Sequence, residues 1–175
     1  MVTKAEIQNA MIAVALSQVG VREHGFNKGK EVEEYQKVVD GKAKQEAWCM
    51  AFVQWVTKRV CNQYGIESVL FKSENCQQVY IHTPAKYQSS APVIGGCFIQ
   101  QSRTESHKGH TGIIRTGSVA GVFRSIEGNT NSAGSSEGDG VYTKYRYSAG
   151  NPSRRMRGHI DIVAMIFDAL QNHQA

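Results

Sequence analysis

The spacing of apolar residues changes once along the chain, near residue 90. Before that point the apolar residues recur every three or four positions, which is the period of an amphipathic helix. After Pro92 they occur in short runs separated by Gly, Ser and Asn clusters, a pattern typical of antiparallel strands joined by turns. Helices followed by strands predict an α+β fold in which N-terminal helices pack on a C-terminal antiparallel sheet.

Four helices are predicted in the first part of the chain and five strands in the second. The helices are one that carries Ile7, Met11, Val14 and Ala15 and stops near Gly20, one over 31–39, one from 49 to about 63, and one from Ser73 to about His82. The strands are "VIGGCFI", "TGIIR", "AGVFRSIEG", "GVYTKYRY" and "HIDIVAMIF". The polar run "GNTNSAGSSEGDG", 128–140, is expected to be a surface loop.

The length of 175 residues suits one domain, 1–175, with its own core. The 20 basic and 15 acidic residues give a net charge of +5, which favours encounters with anionic polymers or surfaces: nucleic acid, membranes or the acidic polymers of a bacterial wall. The basic run "RRMR", 154–157, is too short to mark a nucleic-acid-binding arm and is expected to lie in a solvated loop. No nucleic-acid partner is therefore predicted.

The N-terminal segment predicts a helix rather than an export signal. The stretch "MVTKAEIQNAMIAVALSQVG" carries Glu6, Gln8 and Asn9 where a signal peptide would be apolar. No run approaches the roughly 18 apolar residues of a membrane span. We therefore expect a protein made in the cytoplasm without a signal peptide and without membrane insertion.

Cys49, Cys61, Cys76 and Cys97 are separated by 12, 15 and 21 positions, so none forms the C-x-x-C pair of a zinc ribbon or a thioredoxin-like site. Their even number permits two disulfides, but a cytoplasmic origin favours free thiols. Cys61, Cys76 and Cys97 are most simply small apolar core residues.

Cys49 lies at the start of a predicted helix, in the stretch "EAWCMAFVQWV". The apolar positions Phe52, Val53, Val56 and Val60 fall on one face of that helix. A helix N-terminus favours the thiolate, which is the nucleophilic form of a cysteine. By itself this placement also fits a buried core cysteine.

Two later stretches supply partners for such a nucleophile. In "KGHTGII", His110 stands between glycines at the start of a strand, where an imidazole can face a cleft and act as a base. In "RSIEGNTN", Glu127 and Asn129 stand at a strand end, where a carboxylate or an amide can orient that imidazole. His107 and His110 are not a predicted zinc pair, because H-x-x-H aligns two ligands only on a helix.

Together these stretches resemble the CHAP amidase/peptidase group of the NlpC/P60 superfamily of papain-like cysteine hydrolases. The resemblance is carried by "AWCMAFVQWV", "GHTGII" and "IEGNTN", with the lead-in "ALSQVGVREHGFNKGKEVEEYQ", and it covers roughly residues 10–147. It implies a papain-like fold with Cys49 as the nucleophile, His110 as the base and Glu127 as the acidic residue that orients the histidine. Asn129 matches an asparagine that completes the site in some members.

The chain departs from the family pattern at two points. The segment "GGCFI" has Cys97 where members often carry an Asp, a change that bears on the fold more than on the chemistry. The segment "DGKAKQEAWC" lacks the Asp-rich calcium loop of some members, so neither a metal nor another cofactor is expected.

Two residues close to Cys49 in sequence are candidates for binding the substrate. The oxyanion of the reaction is expected to bind the Cys49 backbone N–H and one side-chain donor, for which Gln45 is the candidate. Trp48 either shapes the wall of the cleft or packs against the helix.

The family's substrates are amide bonds of peptidoglycan, so the resemblance implies a cell-wall hydrolase, either an endopeptidase or an N-acetylmuramoyl-L-alanine amidase. Such a protein is expected to be a monomer that reaches the wall after lysis, holin-type release or injection, as an endolysin, a virion component or an antibacterial effector. Two alternatives stay open. One is a cytosolic thiol amidase acting on a small peptide or polyamine conjugate, and the other is a catalytically silent binding module on the same fold.

Overall fold

The computed structural model describes residues 2–131 and 138–173, and this part of the chain has an α+β fold. The helices are α1 (Lys4–Leu16), α2 (Lys30–Asp40), α3 (Cys49–Gln63), α4 (Cys76–His82) and α5 (Ile162–His173), with a 3-10 turn at Ala85–Tyr87. The strands are β1 (Gln88–Ser89), β2 (Cys97–Ser102), β3 (Gly109–Ile114), β4 (Val122–Thr130), β5 (Gly140–Tyr147) and β6 (Arg154–Ile160). None of the helices in these ranges is both long and apolar enough to cross a membrane.

The strands form one sheet in the order β1-β6-β2-β3-β4-β5, and every neighbouring pair is antiparallel. Its two faces bury different apolar residues, because side chains alternate along a strand. Ile113 belongs to the large core shared with the helices, whereas Ile114 packs with Phe98 and Phe123 in a smaller cluster. The His110 ring lies beside Phe98, with 6.0 Å between the ring centroids. His110 therefore lies on the face of the sheet that carries the smaller cluster.

Helix α3 is the central element of the large core, and its residues 49–57 are all buried. The helix lies directly on β4, since a Cβ at Gly128 would come within 2.7 Å of the Trp48 ring and 2.8 Å of Phe52. Only a residue without a side chain allows this close approach. The glycine therefore holds the N-terminus of α3, and with it Cys49, against the sheet.

The four N-terminal helices agree with the sequence prediction except at two ends: α1 ends at Leu16 rather than near Gly20, and the start of α4 differs by a few residues. This helix begins at Cys76 rather than at Ser73. Asn75 caps it, because its side chain accepts hydrogen bonds of 2.9 Å and 3.3 Å from the N–H groups of Gln77 and Gln78.

The C-terminal segment differs from the prediction. The sequence predicts one strand through "HIDIVAMIF", but β6 ends at Ile160 and α5 begins at Ile162. Between them, Asp161 Oδ1 accepts a hydrogen bond of 2.8 Å from the Ala164 N–H, which caps the new helix. A short apolar run can be buried as a strand or as a helix. Here the Asp161 cap favours the helix. The strand prediction is wrong for residues 162–167.

The basic run 154–157 is not a solvated loop, so that prediction is wrong as well. It opens β6, which pairs with β2. Arg155 Nε donates a hydrogen bond of 3.0 Å to Gln101 Oε1 on β2. Three arginines in a run of four do not show the alternation of a strand, and the partner strand β2 is distant in sequence. The strand could therefore not be predicted from this run.

The predicted surface loop at 128–140 is shorter than expected. Residues 128–130 still belong to β4, and β5 begins at Gly140. Within that loop, residues 132–137 lie outside the described part of the chain.

We expect Gly128→Ala to destabilise the fold by about 1–3 kcal/mol, since the added methyl group overlaps Trp48 and Phe52 in a packed core. The free energy of unfolding, obtained from urea denaturation, measures the change. Gly117→Ala is the matched control, because a Cβ at Gly117 meets only Ile94, at 3.9 Å. The control should change stability by less than about 0.5 kcal/mol. Equal stability of the two variants would contradict the close packing of α3 on β4.

Candidate active site

Cys49 is the first residue of α3 and lines an open cleft of about 380 Å³. Only 7% of the residue's surface is exposed. Trp48, which precedes the helix, gives no side-chain hydrogen bond to the first turn. The backbone N–H groups of an uncapped helix start are suited to bind an anionic group. The sulfur therefore lies at the end of the helix where negative charge is stabilised.

His110 lies at the second position of β3 and is fully buried. Its Nε2 lies 2.8 Å from Glu127 Oε2. Its Nδ1 is buried and has no well-aligned hydrogen-bond partner among the described residues. Burial alone lowers the pKa of His110, but interactions with the Cys49 thiol and the Glu127 carboxylate outweigh it and raise the pKa overall. The structure therefore brings Cys49 and His110 together and leaves Nδ1 as the nitrogen that can accept a proton.

The Glu127 carboxylate is fully buried and held from several directions. Arg146 Nε donates to Oε1 at 2.7 Å, and the Ser125 hydroxyl donates to the same oxygen at 2.5 Å. Burial alone would raise the pKa of Glu127, but the hydrogen bonds from Arg146 and His110 lower it to about 2. The carboxylate therefore stays ionised, so His110 Nε2 carries the proton of their hydrogen bond.

The glycines on both sides of His110 have a packing reason. The Glu127 side chain crosses Gly112 on the neighbouring strand, where a Cβ would lie 2.5 Å from Glu127 Cγ. A Cβ at Gly109 would lie 2.1 Å from the Gln100 carbonyl oxygen. The pattern "GHTG" thus makes room for the carboxylate that orients the histidine.

The residues that hold Glu127 are absent from the sequence prediction. Ser125 stands two positions before Glu127, so alternation along a strand was a signal that placed both on one face. Arg146 lies on β5 opposite Phe123, 19 positions after Glu127. No local pattern connects Arg146 with Glu127, because only the register of the sheet brings them together.

The cleft beside Cys49 contains two further residues that the sequence did not indicate, Arg154 and Cys76. Cys76 is buried, as predicted for a core residue, but it also lines the cleft. Burial, followed by the neighbouring Cys49 thiol, raises the pKa of Cys76. Cys61 and Cys97 lie in the large core, and all four cysteines are free thiols.

Asn129 and Gln45 line a second pocket of about 580 Å³, which shares Ala47 with the first. Within the described residues Asn129 forms no hydrogen bond to His110, whose Nε2 is occupied by Glu127. The structure therefore places both residues beside the cleft that contains Cys49 rather than in the hydrogen-bonded set around His110. A separate depression of about 330 Å³ between α2 and α3 contains none of the candidate residues.

Trp48 packs inside the protein. The residue has no exposed surface, and its ring centroid lies 5.7 Å from that of Tyr35. The indole Nε1 donates a hydrogen bond of 3.2 Å to Glu23 Oε2. Of the two roles expected for Trp48, the structure shows the packing role, and a fully buried ring offers no wall to a substrate.

The remaining histidines differ in their surroundings. His24 and His82 are exposed, and His159 is buried. His107 lines the cleft with Cys49, and the side chain of His173 lies outside the described part of the protein. Across residues 2–131 and 138–173, no group of three or more His, Cys, Asp or Glu side chains is arranged to hold a metal ion.

The site consists of the Cys49 thiol at a helix start, the His110 imidazole with one basic nitrogen, and the Glu127 carboxylate, which Arg146 holds in place. Such a set can carry out nucleophilic acyl transfer, because it supplies a nucleophile, a proton carrier and a group that orients the carrier. The buried position of the imidazole and the carboxylate fixes their geometry before a substrate arrives.

We expect Glu127→Gln to slow any hydrolysis that depends on Cys49 by roughly 10²–10⁴-fold, because a neutral amide does not stabilise the imidazolium. It should also destabilise the fold at neutral pH by about 3–5 kcal/mol, since Arg146 is left buried without its carboxylate. Initial rates measure the first effect, and the free energy of unfolding from urea denaturation measures the second.

The stability effect should depend on pH. Folding lowers the pKa of Glu127 from 4.5 to about 2, so the ionised carboxylate stabilises the protein fully above pH 4.5 and loses this effect as the pH falls towards 2. The difference in stability between wild type and Glu127→Gln should therefore narrow across this window. Glu33→Gln, which removes an exposed ion pair with Lys37, is the control and should cost less than about 0.5 kcal/mol. A difference that stays constant with pH would contradict an ionised Glu127.

Comparisons with known proteins give no relative whose function can be carried over. No protein-family model matches the chain. A search of curated proteins and a search of solved structures likewise found no match. The chemistry and geometry of the described residues therefore carry the functional argument.

Proposed function

We propose that this chain is a papain-like cysteine hydrolase of the CHAP type that cleaves an amide bond of peptidoglycan. One observation carries the proposal: buried contacts run from Arg146 through Glu127 to His110, and the Cys49 thiol adjoins that imidazole. A buried ion pair is costly to form, and here it holds a group able to carry protons. A cysteine at a helix start and a histidine on the adjoining strand also match what the CHAP resemblance implies.

The reaction begins when the Cys49 thiol gives its proton to His110 Nδ1 and the sulfur attacks the carbonyl carbon of the scissile amide. The carbonyl oxygen becomes an oxyanion, which backbone N–H groups at the start of α3 stabilise. The intermediate collapses when His110 gives the proton to the leaving amine, and a thioester on Cys49 remains. Water, deprotonated by His110, then attacks the thioester, and release of the carboxylic acid restores the thiol.

Glu127 contributes to both halves of this cycle. Its ionised carboxylate lies 2.8 Å from His110 Nε2 and stabilises the imidazolium that forms in each half. Arg146 and Ser125 keep the carboxylate in place by occupying Oε1. Neither of these two residues needs to contact the substrate, so both are positioning residues.

The shape of the cleft favours an internal bond of a larger molecule. Two pockets, of about 380 Å³ and about 580 Å³, meet at Ala47, two residues before Cys49. A substrate in the cleft that contains Cys49 can therefore extend past Ala47 into the larger pocket. Gln45, which lines the larger pocket, remains the candidate for the second oxyanion donor.

The proposed setting is the bacterial wall. The net charge of +5 favours binding to its anionic polymers. The chain is proposed to act as a monomer that reaches the wall after lysis, holin-type release or injection.

Loss of turbidity of purified sacculi tests the proposal. Wild type should clear the suspension, and Cys49→Ala should be slower by roughly 10³-fold or more, because the nucleophile is removed. Cys61→Ala is the matched control, since Cys61 is a buried thiol on the same helix and should be dispensable for the reaction. Mass spectrometry of the released fragments identifies the bond that is cleaved.

The other outcomes decide between the alternatives. If wild type leaves sacculi intact but hydrolyses small peptide or polyamine amides in a Cys49-dependent way, the protein is a thiol amidase and the wall proposal is wrong. If Cys49→Ala equals wild type in every assay, the protein is not a cysteine hydrolase.

A further inference from the structure

The second pocket opens beside the catalytic cleft and has its own chemistry. Its lining comes from three separate parts of the chain: the loop at 23–27, the segment 45–47 that leads into α3, and the region where β4 ends and β5 approaches. Ala47 lines both pockets. A substrate group bound in the second pocket is therefore close, along the substrate, to the bond that Cys49 attacks.

Unusual backbone conformations shape this pocket. Asn27, Gln45 and Asn129 have positive φ angles of 52°, 60° and 53°, and all three line it. Hydrogen bonds hold two of them in place, since Asn27 Nδ2 donates to the Gln45 carbonyl oxygen at 3.1 Å and Gln36 Nε2 donates to the Asn27 carbonyl oxygen at 3.3 Å. Strained residues of this kind persist where the surrounding structure enforces them, often at binding sites. The pocket is therefore preformed.

Asn129 presents an unused polar group to the pocket. The residue is 1% exposed, yet within the described part of the chain its carboxamide makes no hydrogen bond. A carboxamide that lines a pocket and is not bonded to the protein can exchange hydrogen bonds with a ligand through its oxygen and its NH₂ group.

The pocket is also negatively charged. Glu23 and Asp139 both line it, and the Glu23 N–H donates to the Asp139 carbonyl oxygen at 2.8 Å, which ties the two residues together. None of the described lining residues is Lys, Arg or His. Neither carboxylate forms an ion pair within residues 2–131 and 138–173. In a protein of net charge +5, this is a local excess of negative charge.

Each carboxylate keeps one oxygen for a ligand. Glu23 Oε2 accepts from the Trp48 indole and Asp139 Oδ1 accepts from the Tyr142 hydroxyl, at 3.2 Å and 2.8 Å. The other oxygens, Glu23 Oε1 and Asp139 Oδ2, make no hydrogen bond to described residues. With the Asn129 amide oxygen they offer three acceptors, the number that the three donors of a primary ammonium require. Two nearby cations have other partners: Arg22 stacks on Tyr142, and Lys144 Nζ donates a hydrogen bond of 2.9 Å to the Asn131 carbonyl oxygen.

We propose that the second pocket binds a primary ammonium group of the substrate, so that the amide cleaved at Cys49 belongs to a peptide with a free amine. The inference rests on the proposed function and narrows its substrate class. Two sources supply such a group in a peptide, a free amino terminus and the side chain of a diamino acid. The cleft that contains Cys49 differs, because there Arg154 and Lys108 accompany the carboxylates.

Calorimetric binding to the Cys49→Ala variant tests the inference without turnover. The probe is the tripeptide L-Ala-γ-D-Glu-L-Lys, compared with the same peptide acetylated on its α-amine, on its lysine amine, or on both. Acetylation of the recognised amine should weaken binding at least about tenfold, because it removes the charge and two of the three donors. The two singly acetylated peptides show which amine is bound.

Charge-neutral variants in the same background locate the effect. Glu23→Gln and Asp139→Asn retain an acceptor for Trp48 and Tyr142 but lose the negative charge. Each should weaken binding of the free-amine peptide several-fold and leave the doubly acetylated peptide unchanged, whereas Glu33→Gln, which lies outside the pocket, should change neither. The acetylation series needs neither variant, so it decides the matter even if one of them fails to fold.

Two results would overturn the inference. One is equal binding of the free and doubly acetylated peptides, and the other is binding of an N-acetylglucosamine trisaccharide that Glu23→Gln and Asp139→Asn abolish. If sacculi are hydrolysed but acetylation of the peptide has no effect, the ammonium site fails and the proposed function stands. If sacculi are not hydrolysed but the free amine is selectively bound, the ammonium site stands and the proposed function fails.

Discussion

The buried ion pair between Glu127 and Arg146 is the interaction on which the rest of the site depends. The Glu127 residue has no exposed surface and Arg146 only 7%, so the pair forms away from water, where desolvating each charge costs several kcal/mol. Hydrogen bonds from Arg146, Ser125 and His110 satisfy the carboxylate and offset that cost. These partners come from β3, β4 and β5. One carboxylate thus links three neighbouring strands and penalises any slip in their register.

The same carboxylate connects packing with chemistry. While Glu127 is ionised it retains the proton on His110 Nε2, and the opposite nitrogen is left for proton transfer. Helix α3 is fixed separately, by its close approach to Gly128 on β4. The thiol and the base are therefore held by different elements of one rigid core. In the proposed reaction, such preorganisation lowers the cost of reaching the transition state, because little has to move when the bond is attacked.

The sequence singled out Cys49, His110 and Glu127, which the structure brings together, but it did not indicate the residues that hold them in place. Cys49, His110 and Glu127 could be recognised because each stands at the end of an element in a distinctive local context. Arg146 could not, because it meets Glu127 only through the pairing of β4 with β5. The C-terminal helix was mistaken for a strand although Asp161 was a visible capping signal. Asn129 was predicted to complete the set around His110, but it lines the neighbouring pocket instead.

Selective alkylation of the native protein tests most directly whether Cys49 is an activated nucleophile. Iodoacetamide reacts with thiolates, and peptide mapping by mass spectrometry reports the rate at each of the four cysteines. Burial raises the pKa of Cys61, Cys76 and Cys97, so these thiols should remain unmodified while Cys49 reacts. His110→Ala should slow the reaction of Cys49 at neutral pH at least about tenfold, because the imidazole no longer accepts its proton. If Cys49 reacts no faster than the other three thiols, or at the same rate without His110, the catalytic account is wrong.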